Sequence, residues 1–200
     1  MIAIIDYDAG NLRSVEKALE FLGQEVVITR DKELLHKADK VILPGVGAFG
    51  DAMEKLQHYD LVNVIQKIAK CKPFLGICLG QQLMFEESEE APGVNGLGLL
   101  PGKILRIPDK KGLKIPHIGW NDLTIAPSSK LFSNISQNSY VYFVHSYYLN
   151  AENASDVAAT TYYSTTIHAA IEHGNIFACQ FHPEKSGSVG LQILRNFAQL

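Results

Sequence analysis

Cys78 is the residue of this sequence best placed to act as a nucleophile. It lies in the segment GICLG at 76–80, after an apolar run and before a helical pattern. Such a segment is typical of a nucleophile elbow, a tight strand-to-helix turn in which a Cβ on either side of the nucleophile would clash. The start of a helix also favours the reactive thiolate. The alternative is a buried structural cysteine, which is the interpretation we give to Cys71 and Cys179.

A cysteine nucleophile needs a base, and the segment His182-Pro183-Glu184 offers one. The base takes the thiol proton and returns it to a leaving amine, while a third group holds the base in one tautomer. Residues two apart on an extended segment project to the same side, and Pro183 favours an extended chain. We therefore expect the Glu184 carboxylate to orient the His182 imidazole. In the alternative interpretation, His182 only ends a strand and Glu184 is a solvated turn residue.

Hydrolysis of an amide also requires donors for the oxyanion that develops on the carbonyl, and these are usually backbone N–H groups. In an elbow, one donor belongs to the residue after the nucleophile, which is Leu79. The segment PGVG at 44–47 follows an apolar run, so it is expected at the same carboxyl edge of a parallel sheet as Cys78. It is therefore a candidate for the second donor. The alternative is an ordinary glycine-rich turn.

Composition excludes several classes of function. The net charge is −3 and no cluster of Lys or Arg is present, so no nucleic-acid partner is expected. No apolar stretch approaches roughly 18 residues and the N-terminus has no cationic region, which predicts a cytoplasmic protein without a membrane segment. Three cysteines without regular spacing are expected to be thiols. The histidines show no spacing typical of zinc, so neither a metal nor a cofactor is expected.

The elements that would position these residues alternate in the first half of the chain. Short β-branched runs predict strands at 1–6, 25–29, 40–43 and 73–78, and apolar residues at helical spacing predict helices at 12–22, 31–38 and 60–70. This alternation is typical of right-handed βαβ units. It therefore predicts a parallel sheet that is covered by helices on both faces.

The second half of the chain is dominated by predicted strands. They lie at 103–107, 120–125, 140–149, 157–163, 166–172 and 176–182, with a hairpin tip at 173–175 and a final helix at 188–200. The polar residues at 145–147 are expected to line a pocket. Because no linker or repeat is visible, we expect a single α/β domain over residues 1–200 with a mixed, largely parallel central sheet flanked by helices.

The order and spacing of GICLG, PGVG and HPE resemble the class I glutamine amidotransferase family, and so imply its flavodoxin-like type of fold. A closer resemblance is to the glutaminase subunits of imidazole glycerol phosphate synthase. It is carried by the segments DYDAGNLRSV at 6–15, LPGVGAFGDAM at 43–53, GICLGQQLMFEESEE at 76–90, PHIGWN at 116–121, VYFVHSYY at 141–148 and FHPEKS at 181–186. Two departures are Gln81, where a Met is usual, and Asp8-Ala9, where a small pair is usual.

The resemblance implies a glutaminase in histidine biosynthesis that forms a heterodimer with a separate (β/α)8-barrel cyclase and supplies it with ammonia from glutamine. It implies Cys78 as nucleophile, His182 as base and Glu184 as the group that orients the base. The oxyanion donors would be Leu79, Val46 and Gly47. The glutamine-binding residues would be Gly45, Gln82, Glu90, Ser146 and Tyr147, and the residues that face the cyclase would be Asn11, Trp120, Tyr142 and Lys185.

Three other functions are compatible with parts of this pattern. The same chemistry serves other synthases, such as a pyridoxal phosphate synthase, but the PGVG and PHIGWN segments argue against that acceptor. A cysteine peptidase or γ-glutamyl hydrolase would share the elbow and act without a partner. A binding module that has lost the site would keep only the fold, which the intact set of Cys78, His182 and Glu184 disfavours.

Overall fold

The computed structural model describes residues 1–200 as thirteen strands, six α-helices and two short 3-10 turns. The strands are β1 (Ile2–Ile5), β2 (Val26–Thr29), β3 (Lys40–Gly45), β4 (Phe74–Cys78), β5 (Glu87–Ser88), β6 (Gly102–Arg106), β7 (His117–Asp122), β8 (Thr124–Ile125), β9 (Tyr140–His145), β10 (Tyr147–Ala151), β11 (Val157–Tyr163), β12 (Thr165–His173) and β13 (Ile176–Cys179). The helices are α1 (Leu12–Phe21), α2 (Lys32–Lys37), α3 (Phe49–His58), α4 (Val62–Cys71), α5 (Leu79–Leu83) and α6 (Gly187–Ala198). None of the helices is long and apolar enough to span a membrane.

The central sheet has eight strands in the order β2-β1-β3-β4-β13-β12-β11-β8. The pairs from β2 to β13 are parallel, and the pairs from β13 to β8 are antiparallel. The predicted mixed, largely parallel sheet is therefore confirmed. Because the carboxyl ends of β3, β4 and β13 lie side by side, the segments that follow these three strands meet at one edge.

Apolar side chains of the sheet alternate between two separate cores. On β1, Ala3 and Ile5 belong to a core with α2, α3 and α4, whereas Ile2 and Ile4 belong to a core with α1 and α6. Each strand residue points to the face opposite to its neighbour, so a strand buried on both sides reads as a continuous apolar run. The predicted cover of helices on both faces is confirmed.

The structure differs from the predictions in several places. Cys71, which was predicted to be a buried structural cysteine, is exposed at the end of α4. Helix α3 is not predicted by the sequence pattern, because it follows directly on a glycine-rich segment. The predicted strand at 140–149 is two strands that separate at Ser146, where β9 pairs with β7 and β10 pairs with β6. The predicted strand at 120–125 likewise divides at Leu123 between β7 and β8. We call the antiparallel pair of β7 and β9 the ribbon.

Candidate active site

Cys78 occupies a strained turn between β4 and α5. Its φ is 55°, a left-handed conformation that non-glycine residues rarely adopt. A Cβ on Gly76 would lie 2.7 Å from the carbonyl oxygen of Gly80, and a Cβ on Gly80 would lie 1.8 Å from that of Leu43. The predicted tight turn and the need for both glycines are thereby confirmed. Helix α5 has only five residues, so its dipole gives a thiolate less support than the sequence analysis expected.

His182 and Glu184 form a buried pair beside the cysteine. The two atoms His182 Nδ1 and Glu184 Oε1 are 2.8 Å apart, and both side chains are at most 2% exposed. The chain that joins them was predicted to be extended, but it forms a 3-10 turn over Pro183–Lys185. The fixed φ of proline suits the first position of a helical turn as well as an extended chain. The hydroxyl of Ser186 donates to the His182 carbonyl and closes this turn.

The surroundings of His182 favour its protonated form. Burial alone would lower its pKa, but the Cys78 and Glu184 side chains outweigh burial and raise the pKa of His182. Its second ring nitrogen, Nε2, is buried and has no hydrogen-bond partner, and the same holds for Oε2 of Glu184. An unpartnered buried polar atom is costly, and active sites are where such atoms are retained. The imidazole is therefore oriented on one side and free on the other.

A cavity of about 350 Å³ opens beside Cys78 and His182 at this edge of the sheet. It brings together most of the residues that the sequence analysis assigned to one site. Its lining comprises Val46, Gly47, Cys78, Leu79, Gln82, Glu90, Pro116, Val144, His145, Ser146, Tyr147 and His182. Glu184 lies behind His182 and does not line the cavity, and neither does Gly45, which pairs with Cys78 across β3 and β4.

The PGVG segment is anchored at its base and open at its tip. The hydroxyl of the buried Tyr7 donates to the Pro44 carbonyl at 2.9 Å. The burial of this hydroxyl, together with the nearby Cys78, raises the pKa of Tyr7. By contrast, Val46 is 43% exposed, and Gly47 has a φ of 102° that favours glycine. The carboxylate of Glu90 accepts a hydrogen bond from the Phe49 N–H at 2.8 Å, and so holds the start of α3 beside the cavity.

Gln82 is oriented by two acceptors. Its Nε2 donates to the Tyr147 carbonyl at 3.0 Å and to Gln180 Oε1 at 2.9 Å. An amide group has only two N–H bonds, so both donors of Gln82 are used within the protein. The side chain lines the cavity, and its oxygen is the atom that remains for a ligand.

The pairing of His117 with His145 and the burial of Gln180 were not predicted from the sequence, although His145 belongs to the residues 145–147 that were expected to line a pocket. His117 and His145 face each other across the ribbon, with His117 Nδ1 and His145 Nε2 3.0 Å apart. Gln180 is fully buried between β13 and His182. Alternation along the predicted strand 176–182 places Gln180 and His182 on the same side, and this is the sequence signal by which Gln180 could have been identified.

The residues expected to face a partner lie near the cavity but outside it. Trp120 and Tyr142 are directly opposite on the ribbon, with ring centroids 6.1 Å apart. Trp120 is 54% exposed, so it is not a core residue. Lys185 is exposed on the turn that carries Glu184, and Asn11 is half-buried just before α1.

The chain is similar to known proteins over its whole length. The family model for Glutamine amidotransferase class-I matches residues 3–200. The imidazole glycerol phosphate synthase subunit HisH of Thermosynechococcus vestitus is 54% identical over 100% of this chain and 96% of its own length. The subunit of the same name from Methanothermobacter thermautotrophicus is 51% identical, with 100% and 98% coverage. A crystal structure described as a glutamine amidotransferase shares the fold with a TM-score of 0.77 at 19% identity, covering 100% of this chain and 98% of that one.

Proposed function

The chain belongs to the class I glutamine amidotransferases and, within them, to the HisH subunits of imidazole glycerol phosphate synthase, and we propose that it hydrolyses glutamine to glutamate and ammonia. The observation that carries this proposal is the strained Cys78 in one cavity with the oriented His182. A nucleophile, a base and a group that orients the base are the parts that covalent amide hydrolysis requires.

The reaction begins with transfer of the Cys78 thiol proton to His182 and attack of the resulting thiolate on the side-chain amide carbon of glutamine. His182 gives its proton to the departing nitrogen, which leaves as ammonia, and a glutamyl thioester remains on the sulfur. Water then attacks the thioester, and His182 takes a proton from that water. Glutamate leaves and the thiol is restored, so one water molecule is consumed for each glutamine. Glu184 holds the imidazole through Nδ1, which keeps Nε2 on the side of the substrate.

Two further groups of residues complete the site in this proposal. The N–H groups of Leu79 and of Val46 or Gly47 are the donors to the oxyanion of each tetrahedral intermediate. The Gln82 oxygen, the Glu90 carboxylate and the backbone at Gly45, Ser146 and Tyr147 hold the polar ends of glutamine. All of these residues except Gly45 line the cavity.

We further propose that the ribbon and Lys185 receive a (β/α)8-barrel cyclase, with Asn11 at the margin of the contact. Exposed aromatic residues rimmed by polar groups are typical of protein interfaces. The Tyr142 backbone joins this surface to the turn that carries His182 and Glu184, because its carbonyl accepts from the His182 N–H at 2.9 Å and its N–H donates to Ser186 Oγ at 3.0 Å. In this proposal, a displacement of the ribbon by the cyclase is therefore transmitted through two hydrogen bonds to the turn that follows His182.

The cyclase would use the ammonia to convert an aminoimidazole nucleotide precursor to imidazole glycerol phosphate and AICAR in histidine biosynthesis. The relatives named above carry the name of this synthase. We place the heterodimer in the cytoplasm, a proposal supported by three cysteines that are all free, as thiols are in a reducing compartment.

The test is co-purification with the cyclase, followed by glutamine turnover with and without the cyclase's nucleotide ligand. We expect slow turnover by the isolated chain and a rise of about 100-fold or more in the loaded complex, the size of effect that an oxyanion donor has on rate. The complex with an empty cyclase is the matched control. Full turnover by the isolated chain would instead support a stand-alone hydrolase.

A further inference from the structure

Gln180 is a buried polar residue that contacts the Cys78 sulfur and to which no role has yet been given. It follows β13 directly, and its backbone N–H donates to the Ala169 carbonyl at 2.8 Å, which continues the pairing with β12. The residue is completely inaccessible to solvent. The large majority of buried side-chain polar atoms in proteins are hydrogen-bonded, so the partners of Gln180 indicate what it does.

The orientation of the Gln180 amide follows from its neighbours. The Tyr147 carbonyl can only accept, so the Gln82 atom that contacts it must be the NH2 group. The same NH2 group contacts the side-chain amide of Gln180 at 2.9 Å, so the Gln180 atom there must be the oxygen. The remaining Gln180 atom, Nε2, then faces the Cys78 sulfur at 3.8 Å, within the range of an N–H···S hydrogen bond.

We infer that Gln180 is a hydrogen-bond donor to the Cys78 sulfur that stabilises the reactive thiolate and links it to Gln82 in the glutamine pocket. Hydrogen bonds in which one partner is charged are stronger than neutral ones, so the donor favours the thiolate over the thiol. This role deepens the proposed function and rests on it. It also explains how the Cys78 thiolate is stabilised at the start of a helix of only five residues, since the dipole of the short α5 contributes little.

The alternative is that Gln180 is only a structural amide that holds Gln82. Loss of its side chain would then weaken glutamine binding and the fold, but the sulfur would react as before. The two roles are separated by the chemical reactivity of Cys78, which can be measured without glutamine. Iodoacetamide alkylates thiolates, and its rate at each pH reports how much thiolate is present.

The experiment compares Gln180→Met with Gln81→Met in the full-length chain, both in a Cys71→Ser background because Cys71 is the exposed thiol. Gln81 is the matched control, since it is an equally buried amide whose Nε2 contacts the His168 carbonyl instead. Alkylation of Cys78 is followed by peptide mass spectrometry from pH 5 to pH 10. We expect Gln180→Met to slow alkylation at pH 7 about tenfold, the size expected for a hydrogen bond to a charged group, and to move the profile to higher pH. Gln81→Met should change neither the alkylation rate at pH 7 nor its dependence on pH.

An unchanged alkylation profile in folded Gln180→Met would overturn the inference, and a rise in KM for glutamine alone would assign the structural role. If Gln180→Met does not fold, Gln180→Glu replaces it, because Glu keeps the oxygen that accepts from Gln82 and exchanges the N–H donor for a carboxylate oxygen. Cys78 in that variant should be alkylated more slowly than in the parent at pH 8, and alkylation at the parent rate would refute the inference. Absence of glutamine turnover by the parent complex would contradict the proposed function and leave the alkylation result standing.

Discussion

The two walls of the cavity are built differently. The wall that carries Cys78 belongs to the parallel sheet, where Gly76 and Gly80 have no room for a side chain and the cysteine is held in a strained conformation. The opposite wall, with His145 and Tyr147, belongs to the ribbon and to β10. The ribbon has only two strands, and its outer face is exposed at Ile118, Trp120 and Tyr140.

Under the proposed function, the rigid wall serves catalysis and the thin wall serves the response to a partner. A strained nucleophile persists only where packing over-determines its position, and the sheet edge between two cores provides that packing. A thin ribbon with few neighbours on one side is the part that a partner can shift at low cost. We therefore expect substitutions in the first wall to affect folding, and substitutions in the second wall to affect binding and coupling.

The largest expected effect on stability is that of Gly80→Ala. The new Cβ would lie 1.8 Å from the Leu43 carbonyl oxygen, and two backbone segments must separate to admit it. We expect a loss of about 3 kcal/mol or more in the free energy of unfolding, the upper end for overpacking. Urea denaturation measures it. The control is Gly50→Ala in α3, where the Cβ meets nothing closer than 3.4 Å and the change should be neutral or slightly stabilising. Equal stability of the two variants would refute the close packing of this wall.

Trp120→Ala should weaken the complex with the cyclase without unfolding the chain. Central aromatic residues of an interface contribute about 2 kcal/mol or more, so the dissociation constant should rise roughly 30-fold. Titration calorimetry with the cyclase measures it. The control is Phe21→Ala, because Phe21 is 77% exposed at the C-terminal end of α1, whereas Asn11, which is expected at the margin of the contact, precedes its N-terminal end. If Phe21→Ala weakened the complex as much as Trp120→Ala, the ribbon would not be the docking surface.

Mild acid should destabilise the ribbon wall through its histidine pair. Burial lowers the pKa of His117 to about 4 and that of His145 to about 3. Both groups titrate near pH 6.5 when unfolded, so below that pH the unfolded chain binds protons that the folded chain does not, and stability falls as pH falls. The loss between pH 7 and pH 5.5 should be about 1 kcal/mol for each histidine.

The variant His117→Asn isolates this contribution. The raised pKa of His182 stabilises the fold as pH falls towards the unfolded value, so the informative quantity is the difference between the parent and the variant. We expect the free energy of unfolding of the variant to fall less between pH 7 and pH 5.5 than that of the parent, by about 1 kcal/mol, the contribution of one histidine. A parent and a variant with the same slope of stability against pH would show that burial does not hold His117 neutral.

The first wall was largely predictable from the sequence, and the second was not. Strands β1, β3 and β4 are short apolar runs that are almost wholly buried, which local composition identifies well, and the elbow follows from the two glycines around Cys78. The ribbon depends on where a continuous alternating run changes partner. The residues 140–149 keep a strand-like pattern through Ser146, and nothing local indicates that β9 and β10 join different sheets.

The site shows the same division. The motifs predicted the residues that line the cavity, but the network behind them depends on contacts between distant segments. Gln180 contacts Gln82, which is 98 positions away in the chain, and His117 contacts His145 across a pairing that the sequence does not specify. The turn at Pro183 is a similar case, because the proline is compatible with both an extended and a helical conformation.

In the proposed function, Cys78 releases ammonia for a reaction that takes place on another chain. The most direct measurement is product formation by the Cys78→Ala complex with the cyclase, first with glutamine and then with ammonium chloride at raised pH, where more of the nitrogen is free ammonia. We predict no detectable product from glutamine and nearly parental product from ammonium chloride, because only the first reaction needs the thiol. Near-parental product from glutamine in the Cys78→Ala complex would contradict both the assigned nucleophile and the proposed function.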